Sequence, residues 1–174
     1  IHIASLHKML KTMWILWITY FPSSFSPTFT ISPAPIVINK SPGTQFSKIN
    51  VSISSKRFET IKQLRQHNIY AGVLMTPLLP FINDTPENIR EIIYRAHLAN
   101  ASFVYPMFGV TLRDHQRDYF YTQLDHLFPG CKERYIKQFG NTYLCNSPRL
   151  YELKNIFIEE CHKYNIIYKM EDII

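Results

Sequence analysis

Glycine is scarce in this chain, with five in 174 residues, and so is cysteine, with three. Five scattered glycines leave no Gly-rich phosphate loop, which excludes the P-loop and the dinucleotide fingerprint. Cys131, Cys145 and Cys161 are odd in number and far apart, so they make no disulfide framework. Their sparse use fits a reducing, cytoplasmic setting. Cys161 beside His162, joined by the other two, would give four zinc ligands, yet no close spacing supports a metal site. Cys161 falls on an apolar helix face and reads as a core residue. The seven histidines are scattered. None stands with Ser or Cys in a nucleophilic arrangement, and no His-x-His pair supports a metal-dependent hydrolase barrel. Neither metal ligands nor an intact catalytic set are therefore expected. A membrane-spanning run is missing as well. Met13–Phe21, preceded by Lys8 and Lys11, has the order of charge and apolarity of a signal peptide. It is too short to cross a bilayer, and no small-residue cleavage site follows it.

What is present describes a globular α/β protein. A hydrophobic share of 46% against 18% charged is enough apolar material for a core. The formal charge of +6 permits contact with nucleic acid or another anion, and on charge alone an ordinary basic surface is the favoured explanation. Composition changes near Ser55. From Phe21 to Ser55 the chain is rich in Ser, Thr and Pro, with Pro22, Pro27, Pro33, Pro35 and Pro42, which cannot sustain a helix. Low order is expected for residues 1–55, with strand candidates only at Pro35–Ile38 and Ile49–Ile53.

From Lys56 onward helix and strand signals alternate. Phe58, Ile61 and Leu64 share one helical face, closed by His67-Asn68. Ile69–Met75 is a short apolar run that reads as a buried strand. Thr85 reads as an N-cap with Pro86 at the first helical position, followed by the stripe Ile89, Ile92, Ile93, Ala96. Ser102–Met107 is a second strand. Leu112–Phe128 is a helix with Phe120, Leu124 and Leu127 inward, ended by Pro129-Gly130. Ser147-Pro148 opens a last helix through Leu150, Leu153, Phe157 and Cys161, which Asn165 stops before a final strand at Ile166–Tyr168. No repeat of fixed period is evident. The alternation predicts a parallel sheet with helices outside, with too few strands for a closed eight-stranded barrel.

Ligands of such folds bind beyond the carboxyl ends of the strands. That rule singles out Thr76, Pro77, Asn83 and Asp84 after the first strand, and Thr111, Arg113 and Asp114 after the second. Asn offers a donor and an acceptor, and Asp a carboxylate for a hydroxyl or cation. The same Asn-Asp pair can instead shape the turn and help cap the helix at Thr85. Pro77 fits a strand terminator better than a contact. Arg113 can clamp a carboxylate or phosphate, or pair with Asp114, Asp118 or Asp84. Arg117 and Arg134 are further phosphate candidates. Tyr119, Phe120, Tyr121, Tyr135 and Tyr143 can stack bases or fill a core, and Phe120 lies on the predicted buried stripe.

The segments Arg57–Ile61, Gly72–Asp84, Phe108–Asp114, Gln116–Tyr121, Phe128–Gly130 and the pair Tyr143, Cys145 also carry a likeness. In order and spacing they resemble the second half of a radical S-adenosylmethionine (SAM) enzyme of the spore photoproduct lyase-like, DNA repair photolyase-like subgroup. The resemblance runs from about Arg57 to Ile174, and the residues before it match poorly. It implies a partial (βα) barrel holding the later strands only, residues 56–174, behind an irregular segment, residues 1–55. It also implies that the full-length parent binds SAM and a [4Fe-4S] cluster on a Cys-x-x-x-Cys-x-x-Cys loop and performs radical chemistry. That loop is absent from this chain. The missing N-terminal half of the barrel would then be the partner that carries it. The chain alone would hold neither cofactor, and nucleic acid is a candidate substrate. By the same resemblance Thr76, Pro77, Asn83 and Asp84 line the cofactor side, while Thr111, Arg113 and Arg117 face the substrate. The alternative is a non-catalytic remnant or basic binding module with the same packing.

Overall fold

A computed structural model describes residues 30–33 and 54–173. The strand candidates Pro35–Ile38 and Ile49–Ile53 and the apolar run Met13–Phe21 lie outside the described residues. The elements are, in chain order, β1 (Thr30–Pro33), α1 (Ser54–Gln66), β2 (Ala71–Met75), α2 (Pro86–Leu98), β3 (Val104–Pro106) and β4 (Gly109–Thr111). They continue with α3 (Asp114–Leu127), α4 (Cys131–Phe139), β5 (Leu144–Asn146), α5 (Leu150–Lys163) and α6 (Met170–Ile173). The fold is mixed α/β, and β4 pairs with β5 in a small two-stranded sheet. The described residues fall into two compact units, one holding 54–110 and 146–173 with β1, the other holding 111–145.

The larger unit is built on a parallel sheet of order β1-β2-β3. Thr30 stands opposite Ala71, and Val73 opposite Val104. β1 lies inside the segment expected to be irregular, and its Thr-Ile pair is what suits a strand there. α1 begins at Ser54, just ahead of the predicted boundary. The second predicted strand is shorter than expected, and Pro106, with no N–H to give a ladder, ends it. The final predicted strand, Ile166–Tyr168, is a single parallel bridge between Phe103 and Ile167, with Val104 N–H donating to Ile167 O at 2.9 Å. The chain turns into α6 at Met170 before the ladder can extend.

One face of the sheet supports the helices. Ala71, Val73 and Met75, alternate residues of β2, are buried with Phe58 and Ile61 of α1. The same core takes Ile89, Ile92, Ile93 and Ala96 of α2, and Leu153, Phe157 and Cys161 of α5. Each of the Val, Ile, Leu, Met and Phe side chains among them contributes about 1.5–3 kcal/mol through burial. α2 starts as predicted. Thr85 is extended at φ −119° and ψ 149°, its hydroxyl accepts from Asn88 N–H at 3.2 Å, and Pro86 follows. On the other face Gly72 lies under Phe103. A Cβ at residue 72 would stand 2.5 Å from Phe103 O and 2.6 Å from its ring.

Three helices of this unit end alike. Asn68, Asn100 and Asn165 take left-handed φ values of 59°, 54° and 52° after α1, α2 and α5. The next residue then donates back into the helix: Ile69 to Leu64 O at 3.0 Å, Ala101 to Ala96 O at 2.9 Å, Ile166 to Cys161 O at 2.9 Å. Asn tolerates this conformation better than other residues with a side chain, and the returning bond satisfies an orphan carbonyl. Arg65 ties the first two turns, donating to Ile69 O at 3.1 Å and Asn100 O at 3.0 Å.

In the smaller unit the predicted helix begins at Asp114 rather than Leu112, and a second helix, α4, follows where the sequence reading assigned no element. Gly130 at φ 83° and Gly140 at φ 50° bracket α4. Both positions need the freedom of glycine. Tyr135 of α4 is fully buried against Phe120 (5.2 Å between ring centroids), Phe139 (5.3 Å) and Tyr121 (6.4 Å). These rings fill a core, while Tyr119 and Tyr143 are exposed. Among the described residues no helix is long and apolar enough to cross a membrane.

Candidate ligand site at the carboxyl edge of the sheet

The chain leaves β2 through a cis Thr76–Pro77 peptide and runs beside the end of β3. Met107 N–H donates to Met75 O at 3.0 Å, and Leu78 N–H to Met107 O at 3.3 Å. Thr76 Oγ1 approaches Met107 Sδ at 3.3 Å. Leu78 and Leu79 then plunge into the core and anchor the turn that follows. Ile82 and Asn83 N–H both reach Leu79 O at 3.1 Å. Between them Phe81 is left-handed at φ 66°, an outlier for a bulky residue that costs about 1–2 kcal/mol.

Asn83 and Asp84 hold that strained turn. Leu79 N–H donates to Asn83 Oδ1 at 2.5 Å, and the Asp84 carboxylate accepts from the backbone of Phe81 and from its own N–H. Asn88, one turn into α2, donates Nδ2–H to Asn83 O at 2.8 Å. The second tie crosses to the start of α5. Ser147 Oγ–H donates to Asp84 Oδ2 at 2.5 Å, and the same hydroxyl accepts from Arg149 N–H at 3.1 Å. Asn83, Asp84, Asn88 and Ser147 are all buried. Of the two readings of the Asn-Asp pair, turn shaping is realised: the named oxygens are used inside the protein.

The electrostatics follow from this burial. Desolvation pushes the Asp84 carboxyl above its usual range, and the Ser147 hydroxyl, the Phe81 and Asp84 N–H groups and the Arg149 charge offset this only in part. Among the described residues Asn88 Oδ1 is buried with no hydrogen-bond partner. An acceptor in that state costs about 1–3 kcal/mol. Arg149 is exposed and grips Glu152, Nε to Oε2 at 2.9 Å and Nη2 to Oε1 at 2.7 Å, a pairing that raises its own pKa and lowers that of Glu152. The site is thus a hydrogen-bonded polar bracket whose carboxyl pKa is raised. No protein-family model, curated protein or solved structure matches the chain.

The cysteines do not fit an iron–sulfur cluster. They stand in three separate elements, at the start of α4, in β5 and in α5, and all are buried. Among the described residues no three His, Cys, Asp or Glu side chains are grouped to hold a metal. Burial raises all three thiols, Cys161 to about 12 with Glu160 adding to the effect, which favours the thiol over the thiolate that a cluster needs.

The remaining candidates lie in the smaller unit. Thr111 ends β4 and is half-buried. Arg113 caps α3 from an extended backbone, is exposed, and forms no ion pair with Asp114 or Asp118. Arg117, expected to face the substrate, is instead buried. It donates at 3.0 Å to the carbonyls of Gly140, Leu112, Asn141 and Thr142. Its charge is directed at the carboxyl end of α4, where a cation is favoured. Arg134 is exposed. Sequence reasoning missed Ser147, Arg149 and Asn88. Ser147-Pro148 carried a signal, but only for a helix start.

Proposed function

We propose that the chain forms the later βα units of a radical SAM-type barrel and that the carboxyl edge of its sheet faces the pocket. The observation that carries this reading is the strand order. β1, β2, β3 and the Ile167 bridge follow one another in chain order and all run parallel. α1 touches α2, and α2 packs on α5. Winding without reversal is the habit of barrels, whereas doubly wound sheets reverse at a switch point. The rigid turn at Asn83-Asp84 lies at the edge where barrel ligands bind.

In this reading the chain supplies a wall. Thr76 and the braced Phe81 turn shape it, and Asp84 and Ser147 fix the loop before α2 to the start of α5. Reductive SAM cleavage belongs to a partner segment bearing the Cys-x-x-x-Cys-x-x-Cys loop, which this sequence lacks. Nucleic acid is the less favoured substrate. Lys8, Lys11, Lys40 and Lys48 precede Ser54 while every Asp and Glu follows it, leaving 15 basic against 13 acidic residues from Ser54 onward. A near-balanced fold offers little electrostatic footprint for a polyanion.

The test is reconstitution with iron and sulfide followed by addition of SAM and dithionite as electron donor, for the chain alone and with a co-expressed polypeptide that carries the cluster loop and the early strands of such a barrel. We expect no cluster absorbance from the chain alone, and co-purification with release of 5′-deoxyadenosine from the pair. A pair that co-purifies, binds iron and releases no 5′-deoxyadenosine would favour the second reading, a packing module without catalysis. The internal use of the Asn83 and Asp84 oxygens is the observation that favours that reading.

A further inference from the structure

We draw no further inference here: the strongest candidate, the surface ring cluster of Tyr94, His97 and Tyr164 at the carboxyl ends of α2 and α5 with Leu98 exposed next to it in sequence, is an unpartnered face, and nothing in the structure shows what covers it.

Discussion

Replacing Gly72 with alanine tests the packing at the centre of the parallel sheet. The added methyl would sit 2.5 Å from the Phe103 carbonyl oxygen and 2.6 Å from two ring carbons, where ordinary contact begins at 3.4 Å. That carbonyl accepts the Val73 N–H at 2.9 Å, and its ring stacks on Tyr70 at 5.5 Å, so neither yields freely. Relief needs a shift of about 1 Å in a close-packed interior, and overpacking of this kind costs typically 1–3 kcal/mol. Replacing glycine in a strand returns about 0.5–1 kcal/mol of backbone entropy. The net expectation is a loss of about 1 kcal/mol. With a urea m-value of about 2 kcal/mol/M the midpoint falls by about 0.5 M, at unchanged slope. Far-UV circular dichroism in urea reads this directly. Adding Phe103→Leu removes the ring but not the carbonyl, so the double variant regains only part of the loss. A Gly72→Ala midpoint equal to that of the parent would refute the argument.

Other outcomes follow from single contacts. Asp84 has a folded pKa raised above its unfolded value, so its proton stabilises the fold; that contribution is complete below the unfolded pKa, near 4, and is lost as pH rises through the folded value. Asp84→Asn keeps an acceptor for Ser147. It should flatten the decline in stability as pH rises from about 4 through the folded value, and match or exceed the parent above it (an unchanged pH profile in thermal melts would contradict the desolvation account). Arg117→Met strands four carbonyls and should cost about 3 kcal/mol or more, with Arg117→Lys rescuing only partly because a point charge cannot span the fork. Faster hydrogen exchange of the amides of residues 140–145 in both variants, and fastest in the Met form, is the readout. Asn100→Ala should lose about 1 kcal/mol in chemical denaturation while Asn100→Gly loses none, since the position is left-handed. Equal losses in the two would remove that explanation.

Features that depend on neighbours in sequence were legible. The Thr85-Pro86 start of α2, its apolar stripe, the β2 run and the face of α5 all came from local chemistry and periodicity. α4 was not, although glycines flank it, because it shows only Cys131 and Tyr135 to the core and Pro129-Gly130 reads first as a stop. Three-residue strands such as β4 and β5 carry almost no pattern of their own. At the site, the positions of Asn83 and Asp84 were readable from the turn rule, but their occupancy was not, since Ser147 arrives from a distant segment. Arg117 looks in sequence like any arginine on a helix surface. Only the return of the 140–142 loop turns it into a buried clamp. Asn68 and Asn165 were readable as helix stops, whereas Asn100 was not, and the left-handed geometry the three share shows only in their dihedral angles.

Phe108 O accepts the Ser147 N–H at 2.8 Å, so the larger unit is pinned shut across the very point where its chain departs and comes back. Residues 111–145 therefore form an excursion whose two ends are already neighbours. Such a loop can lengthen, shorten or be exchanged without pulling on the sheet, as inserted domains do. Splicing a turn of a few residues between Val110 and Asn146 should leave the parallel sheet and its helices standing. The smaller unit is in that sense a replaceable insertion, free to diverge while the scaffold that carries it in sequence stays fixed.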